Sequence, residues 1–151
     1  MKINFSKSKM IKFTRSSKEC NTKLVFSDNK MLDEIEEIKL LGLMISKNLK
    51  WEANTEYICK KAKKKIFLLR NMKISGLSQA ELVDAYIKEV RSLLELAVPV
   101  WNSGLTQEQS LKIERVQKSS IAAILGPKYS SYEESLSITK LSKICSEKYE
   151  E

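Results

Sequence analysis

The residues of this sequence with the clearest capacity for chemistry are lysines. Five fall within six positions, Lys60-Lys61-Ala62-Lys63-Lys64-Lys65, and Arg70 and Lys73 follow. A row of such cations on one helix can neutralise successive phosphates of a nucleic-acid backbone. Its affinity would come from released counterions, without any reading of sequence. Phe67 and Leu68 fall on the basic side, where they would either touch a sugar or base face or widen the core stripe. A lysine-rich face is often only solvated surface. Five lysines in six residues, with Glu52 and Glu56 the only acids of the helix, exceed that expectation and favour nucleic acid.

Other chemistries lack their residues. There is no histidine, so the commonest general base is missing. The three aspartates, Asp28, Asp33 and Asp84, are scattered. The densest carboxylate string, Asp33, Glu34, Glu36 and Glu37, lies on a short element whose consecutive side chains diverge. Two-metal catalysis needs convergence, so the string reads as a solvated acidic turn. The glycines are isolated and form no phosphate-cradling loop. Cys20, Cys59 and Cys145 are odd in number and lack a CxxC pattern, which argues against a disulfide framework and a zinc site and fits a reducing compartment. No catalytic residue, metal or cofactor is expected. With no apolar run near the roughly 20 residues of a membrane span and no apolar signal core, the expected location is intracellular, nuclear or cytoplasmic, with no membrane partner.

The elements that must position the lysines divide at about residue 48. Residues 1–18 carry six basic residues and no acid, and residues 39–73 carry ten against two, so the net charge of +8 is concentrated in two blocks. Before residue 48, Met10–Arg15, Lys23–Ser27 and Lys39–Ser46, the last broken by Gly42, read as short strands or hairpins. Asp33–Lys39 reads equally as a helical turn. From Trp51 the period is helical. Ile58, Cys59, Ala62, Ile66 and Leu69 share an arc of roughly 100°, with Lys60, Lys61, Lys63, Lys64 and Lys65 opposite, and the helix ends near Lys73, before Ser75-Gly76.

A second helix starts with the capping box Ser78–Glu81, and its apolar set spans about 200°, which predicts the buried centre of a bundle stopped by Pro99. A third runs from the capping box Thr106–Gln109 to a left-handed cap at Gly126 followed by Pro127, with Ile113, Val116, Ser120, Ala123 and Ile124 as its core stripe. Ser131 and Glu134 open a short fourth helix, after which a charged tail follows. Trp51 and Trp101 lie just outside helices, and packing is their expected role, with the indole N–H bonded to a backbone carbonyl.

Five segments stand in a specific order. They are Ile3-Asn4-Phe5-Ser6-Lys7-Ser8-Lys9-Met10-Ile11-Lys12-Phe13, Leu40-Leu41-Gly42-Leu43, Leu49-Lys50-Trp51 with the basic helix, Leu94-Glu95-Leu96-Ala97-Val98-Pro99-Val100-Trp101-Asn102, and Ile113 through Gly126. This order resembles the carboxy-terminal part of the reverse transcriptases of non-LTR retrotransposons of the Jockey and CR1 kind, RNA-directed DNA polymerases. Their corresponding motifs have the forms LNxxKTxxMxF, YLG, a leucine-tryptophan step, LEYAxPVWN and LExVQxxAxxxILG. Leu41 stands where the family usually has tyrosine, and Leu96 where it has an aromatic. The resemblance implies that Lys7 is the lysine beside a polymerase site, that Leu41 and Gly42 belong to a primer grip, and that the helices from Trp51 form a thumb holding a template–primer duplex. It also implies that the chain starts after the catalytic aspartates, so that magnesium would be needed only by a palm site it does not carry.

The sequence therefore predicts an α+β, mostly α fold. Residues 1–47 would be a late-palm remnant with short strands, residues 48–128 a thumb-like helical bundle of three to four helices with residues 129–151, and the last of these segments a short helix and charged tail. Trp51, Pro99, Trp101 and Gly126 are its expected structural residues. The expected function is that of a fragment without polymerase activity, binding RNA–DNA or DNA duplexes non-specifically through Lys60, Lys61, Lys63, Lys64, Lys65, Arg70 and Lys73. The alternative is a non-catalytic helical interaction or structural protein derived from a mobile element. Self-association through surface exposed by the missing palm is a further expectation.

Overall fold

A computed structural model describes residues 8–13 and 31–144. The fold is α+β and mostly helical, with one antiparallel hairpin ahead of the helices. Strands β1 (Glu37–Leu40) and β2 (Leu43–Ser46) pair from Glu37 opposite Ser46 to Leu40 opposite Leu43. The run Lys39–Ser46 is thus two strands and a turn, because Leu41 and Gly42 both have positive φ, 48° and 93°. That pair of values gives the turn whose twist matches the strands. A Cβ on Gly42 would also sit 3.0 Å from Leu96 Cδ2.

The helical-turn reading of Asp33–Lys39 is corrected, since Met10 pairs with this stretch: its N–H donates to the Asp33 carbonyl (3.0 Å), and its own carbonyl accepts from Ile35 (2.9 Å). Of Met10–Arg15, only Met10 pairs among the described positions, so no strand forms over residues 10–13. Lys23–Ser27 and Lys7 lie outside the described residues.

Helix α1 (Glu52–Ile74) buries the predicted stripe of Ile58, Cys59, Ala62, Ile66 and Leu69. It also buries Asn54 and Thr55. Asn54 Oδ1 accepts from the Met44 N–H (3.2 Å), fastening the hairpin to the helix start. Ser75 and Gly76, with φ 89° at the glycine, end α1 as expected.

Helix α2 (Gln79–Tyr86) begins at the predicted Ser78–Glu81 capping box and runs into a π-helical turn (Ile87–Arg91) and then α3 (Ser92–Leu94). Its buried residues are Leu82, Tyr86, Val90 and Leu94, spaced by four. On a regular helix such a row drifts about 40° per step, and the wider π turn cancels part of that drift. This single stripe corrects the expectation of a buried central helix. Ile87 and Leu96 are exposed, and the middle of the bundle is the packing of α1 on α5.

Pro99 does not stop this helix. The chain turns at Ala97, whose φ is 53°, and Pro99 stands in the first turn of α4 (Val98–Trp101), where its missing N–H is harmless. Trp101 is buried, and its indole N–H donates to the Leu96 carbonyl at 2.8 Å, the predicted bond. Trp51 is buried against Gly104, where a Cβ would come within 2.7 Å of Trp51 Nε1.

Helix α5 (Gln107–Leu125) has the predicted Thr106–Gln109 box. It ends at Gly126 with positive φ (58°) but ψ of −123°, so the cap is a glycine conformation other than the left-handed helical one. Ile113, Val116, Ser120 and Ile124 are buried as expected, Ala123 only partly, and Gln117 and Ile121 join them. Helix α6 (Tyr132–Thr139) starts at Ser131, whose Oγ accepts from the Glu134 N–H. The chain stays packed after it as far as Ile144, and the expected charged tail, residues 145–151, lies outside the described residues. Leu141 and Ile144 are buried, and Gln117 brackets them by donating from Nε2 to the Ser142 carbonyl (2.8 Å) and accepting at Oε1 from the Ile144 N–H (3.2 Å). One hydrophobic cluster runs from Leu43 to Ile144.

Candidate nucleic-acid interface

The seven basic residues expected to act together separate into three groups. Lys60, Lys63 and Lys64 line an open groove of about 850 Å³ between α1 and α5. None of the three is in a salt bridge among the described residues. Arg70 is exposed farther along the same helix, with Phe67 between. Lys61 turns the other way, with its Nζ 5.0 Å from the centre of the Tyr57 ring, and Lys39 sits at the same distance. Lys39 first, and Lys61 with it, hold the Tyr57 phenol below the ordinary tyrosine range.

Two members of the set are corrected. Lys65 is half-buried rather than opposite the core, and it pairs with Glu89 of the π turn at 2.7 Å. At 100° per residue it lies only about 20° from Ile58, at the edge of the buried stripe. Lys73 lies within that stripe, and its Nζ donates to the carbonyls of Ala123 (3.2 Å) and Ile124 (2.8 Å). Those are carbonyls at the end of α5, where the helix dipole is negative, so this lysine serves as a cap from a neighbouring helix. A Cβ on Gly126 would meet the same ammonium, the far end of a flexible side chain that can shift, so it is the positive φ that calls for glycine there.

The opposite wall of the groove was not anticipated. Helix α5 contributes Lys112, Arg115 and Ser119. Their spacing repeats that of the core residues Ile113, Val116 and Ser120, shifted by one, so they edge the buried stripe. That shifted repeat was the available signal, hidden because the second half of the chain is slightly acidic overall. Arg115 has no salt-bridge partner among the described residues, whereas Lys112 binds Glu108 at 3.1 Å. Glu108, and more weakly Glu56 and Glu52, raise the Lys112 ammonium above the usual lysine range. The groove is therefore acidic at the start of α1 and basic farther along.

No protein-family model matches this chain, and no curated protein or solved structure matches it either. The site is thus read from its own geometry. At its floor, Cys59 is free and buried, and desolvation pushes its thiol above the ordinary range against the pull of Lys63 and Lys112. Such a thiol stays protonated and weakly nucleophilic at neutral pH. Thr55, 1% exposed, keeps a hydroxyl with no hydrogen-bond partner among the described residues.

Leu68 is half-buried, and Phe67 is 66% exposed. Leu41 and Gly42 stand at the hairpin tip, away from the groove lining, with Leu41 92% exposed. Among the described residues, no three His, Cys, Asp or Glu side chains come together as metal ligands, and no helix is long and apolar enough to cross a membrane.

Proposed function

We propose that this chain binds nucleic acid by its phosphate backbone, without sequence preference, as the thumb-like part of a protein derived from a non-LTR retrotransposon reverse transcriptase. The observation carrying the binding is the groove whose two walls bring Lys60, Lys63 and Lys64 to face Arg115, all without salt bridges among the described residues. Cations already held by carboxylates would exchange one partner for another on binding. These four would instead gain phosphates outright, with release of counterions from the nucleic acid. The ancestry rests on the ordered motifs from Ile3 to Gly126. These residues supply binding, and no catalytic step is assigned to them.

Charge reversal tests the reading. The K60E/K63E/K64E variant is expected to lose about a hundredfold in affinity at low salt while keeping its melting temperature. Unchanged affinity would remove the proposal.

A second reading, self-association, rests on the hairpin tip. Leu41 holds a left-handed conformation that costs a non-glycine residue about 1–2 kcal/mol, yet its side chain is almost wholly exposed, beside the exposed Leu40. Nothing within the described fold uses that side chain. Sedimentation of the wild type should show a dimer that Leu41→Asp dissolves, and a wild-type monomer at high concentration would dismiss it.

A further inference from the structure

We infer that the preferred ligand of the α1–α5 groove is single-stranded nucleic acid, with a base stacked on Phe67. The inference rests on the nucleic-acid reading above and names which form of the polymer the site takes. Three observations carry it. The basic residues line a furrow between two packed helices, and helices in such contact run about 8–10 Å apart. One phosphate ribbon can follow a furrow between helices packed that closely, whereas a duplex, wider than the spacing of the axes, can only rest across its rim.

Second, Phe67 is 66% exposed on the outward face of α1. Its helical neighbours at three and four residues are Lys63, Lys64, Arg70 and Asn71, all exposed, so no apolar contact explains the ring. An aromatic ring among cations suits an unpaired base above a neutralised backbone, whereas an apolar protein surface there would have to desolvate those cations. The bases of a duplex are already stacked and closed to such a ring.

Third, the groove is polar along its length. Glu52, Glu56 and Glu108 gather about Lys112 at the start of α1, while Lys63, Lys64 and Arg115 lie unpaired farther along. A strand is excluded from the acidic end and led along the basic part towards Phe67 and Arg70. From Lys60 to Arg70 the helix rises about 15 Å, so a few nucleotides fill the track.

The test compares binding of a labelled dT20 oligonucleotide and a 20-base-pair duplex, by fluorescence anisotropy at one low salt concentration, with the whole chain. The expected result is at least tenfold tighter binding of dT20, with Phe67→Ala losing about tenfold on dT20 and less than twofold on the duplex. Ile138→Ala, which removes an exposed apolar side chain (50%) from α6, should change neither. Equal or tighter binding of the duplex, or an F67A variant that keeps its dT20 affinity with an unaltered circular dichroism spectrum, overturns the inference and leaves the backbone-binding function standing. Failure of the wild type to bind either polymer overturns both.

Discussion

Helix α1 carries lysines in its middle and at its far end, and the two places use them in opposite ways. At the far end, Lys73 has its ammonium bonded to two carbonyls of α5, so its charge is consumed inside the fold. Near the middle, Lys60, Lys63 and Lys64 line a groove with no acid paired to them among the described residues. The difference is one of helical phase. Lys73 falls on the arc of Ile58, Ala62, Ile66 and Leu69, where a cation persists only by finding acceptors. Of the groove lysines, Lys60 and Lys64 lie roughly opposite that arc and Lys63 lies beside it, all three outside the buried stripe. A count of basic residues treats all of these alike, and only the free ones are available to a ligand.

The comparison can be broken or sharpened by substitution. The largest effect is on the groove side, where K60E/K63E/K64E lowers affinity about a hundredfold and spares stability. Lys73→Met should do the reverse. Loss of two charge-assisted bonds at a helix end costs about 2 kcal/mol, or roughly 5 °C in Tm, and nucleic-acid affinity should stay within twofold. A Lys73 variant that melts normally but binds poorly would return this residue to the interface. Glu89→Ala gives the smallest effect. The Lys65–Glu89 pair is about two-fifths exposed on each side and contributes under about 1 kcal/mol, so stability should barely move. Freeing Lys65 should raise affinity slightly, by about twofold at low salt, and a loss of affinity would show that the pair positions the helix.

How much of this was legible in the sequence follows the range of the interactions. The buried stripe of α1 and the Ser78 and Thr106 capping boxes are local, and the structure contains them as read. That the Trp101 indole would bond a backbone carbonyl was legible too, while its partner, the Leu96 carbonyl five residues back, was not. The π turn was not, because a row spaced by four looks the same as one wide apolar face. Gln117, Asn54 and Thr55 are polar and fully buried, and their partners, where they have them, are set by tertiary contacts. Pro99 was placed correctly as a boundary but assigned to the wrong side of it. At the site, the lysine wall was legible from density alone, while Lys112 and Arg115 needed the pairing of α1 with α5.

The central claim is that unpaired groove cations meet phosphates, and the salt dependence of binding measures it most directly. With about four phosphates neutralised, a logarithmic plot of wild-type affinity against salt should fall with a slope of about −3. For K60E/K63E/K64E, with Arg115 left, the account predicts a slope of about −1 or shallower. A slope equal to that of the wild type would contradict it.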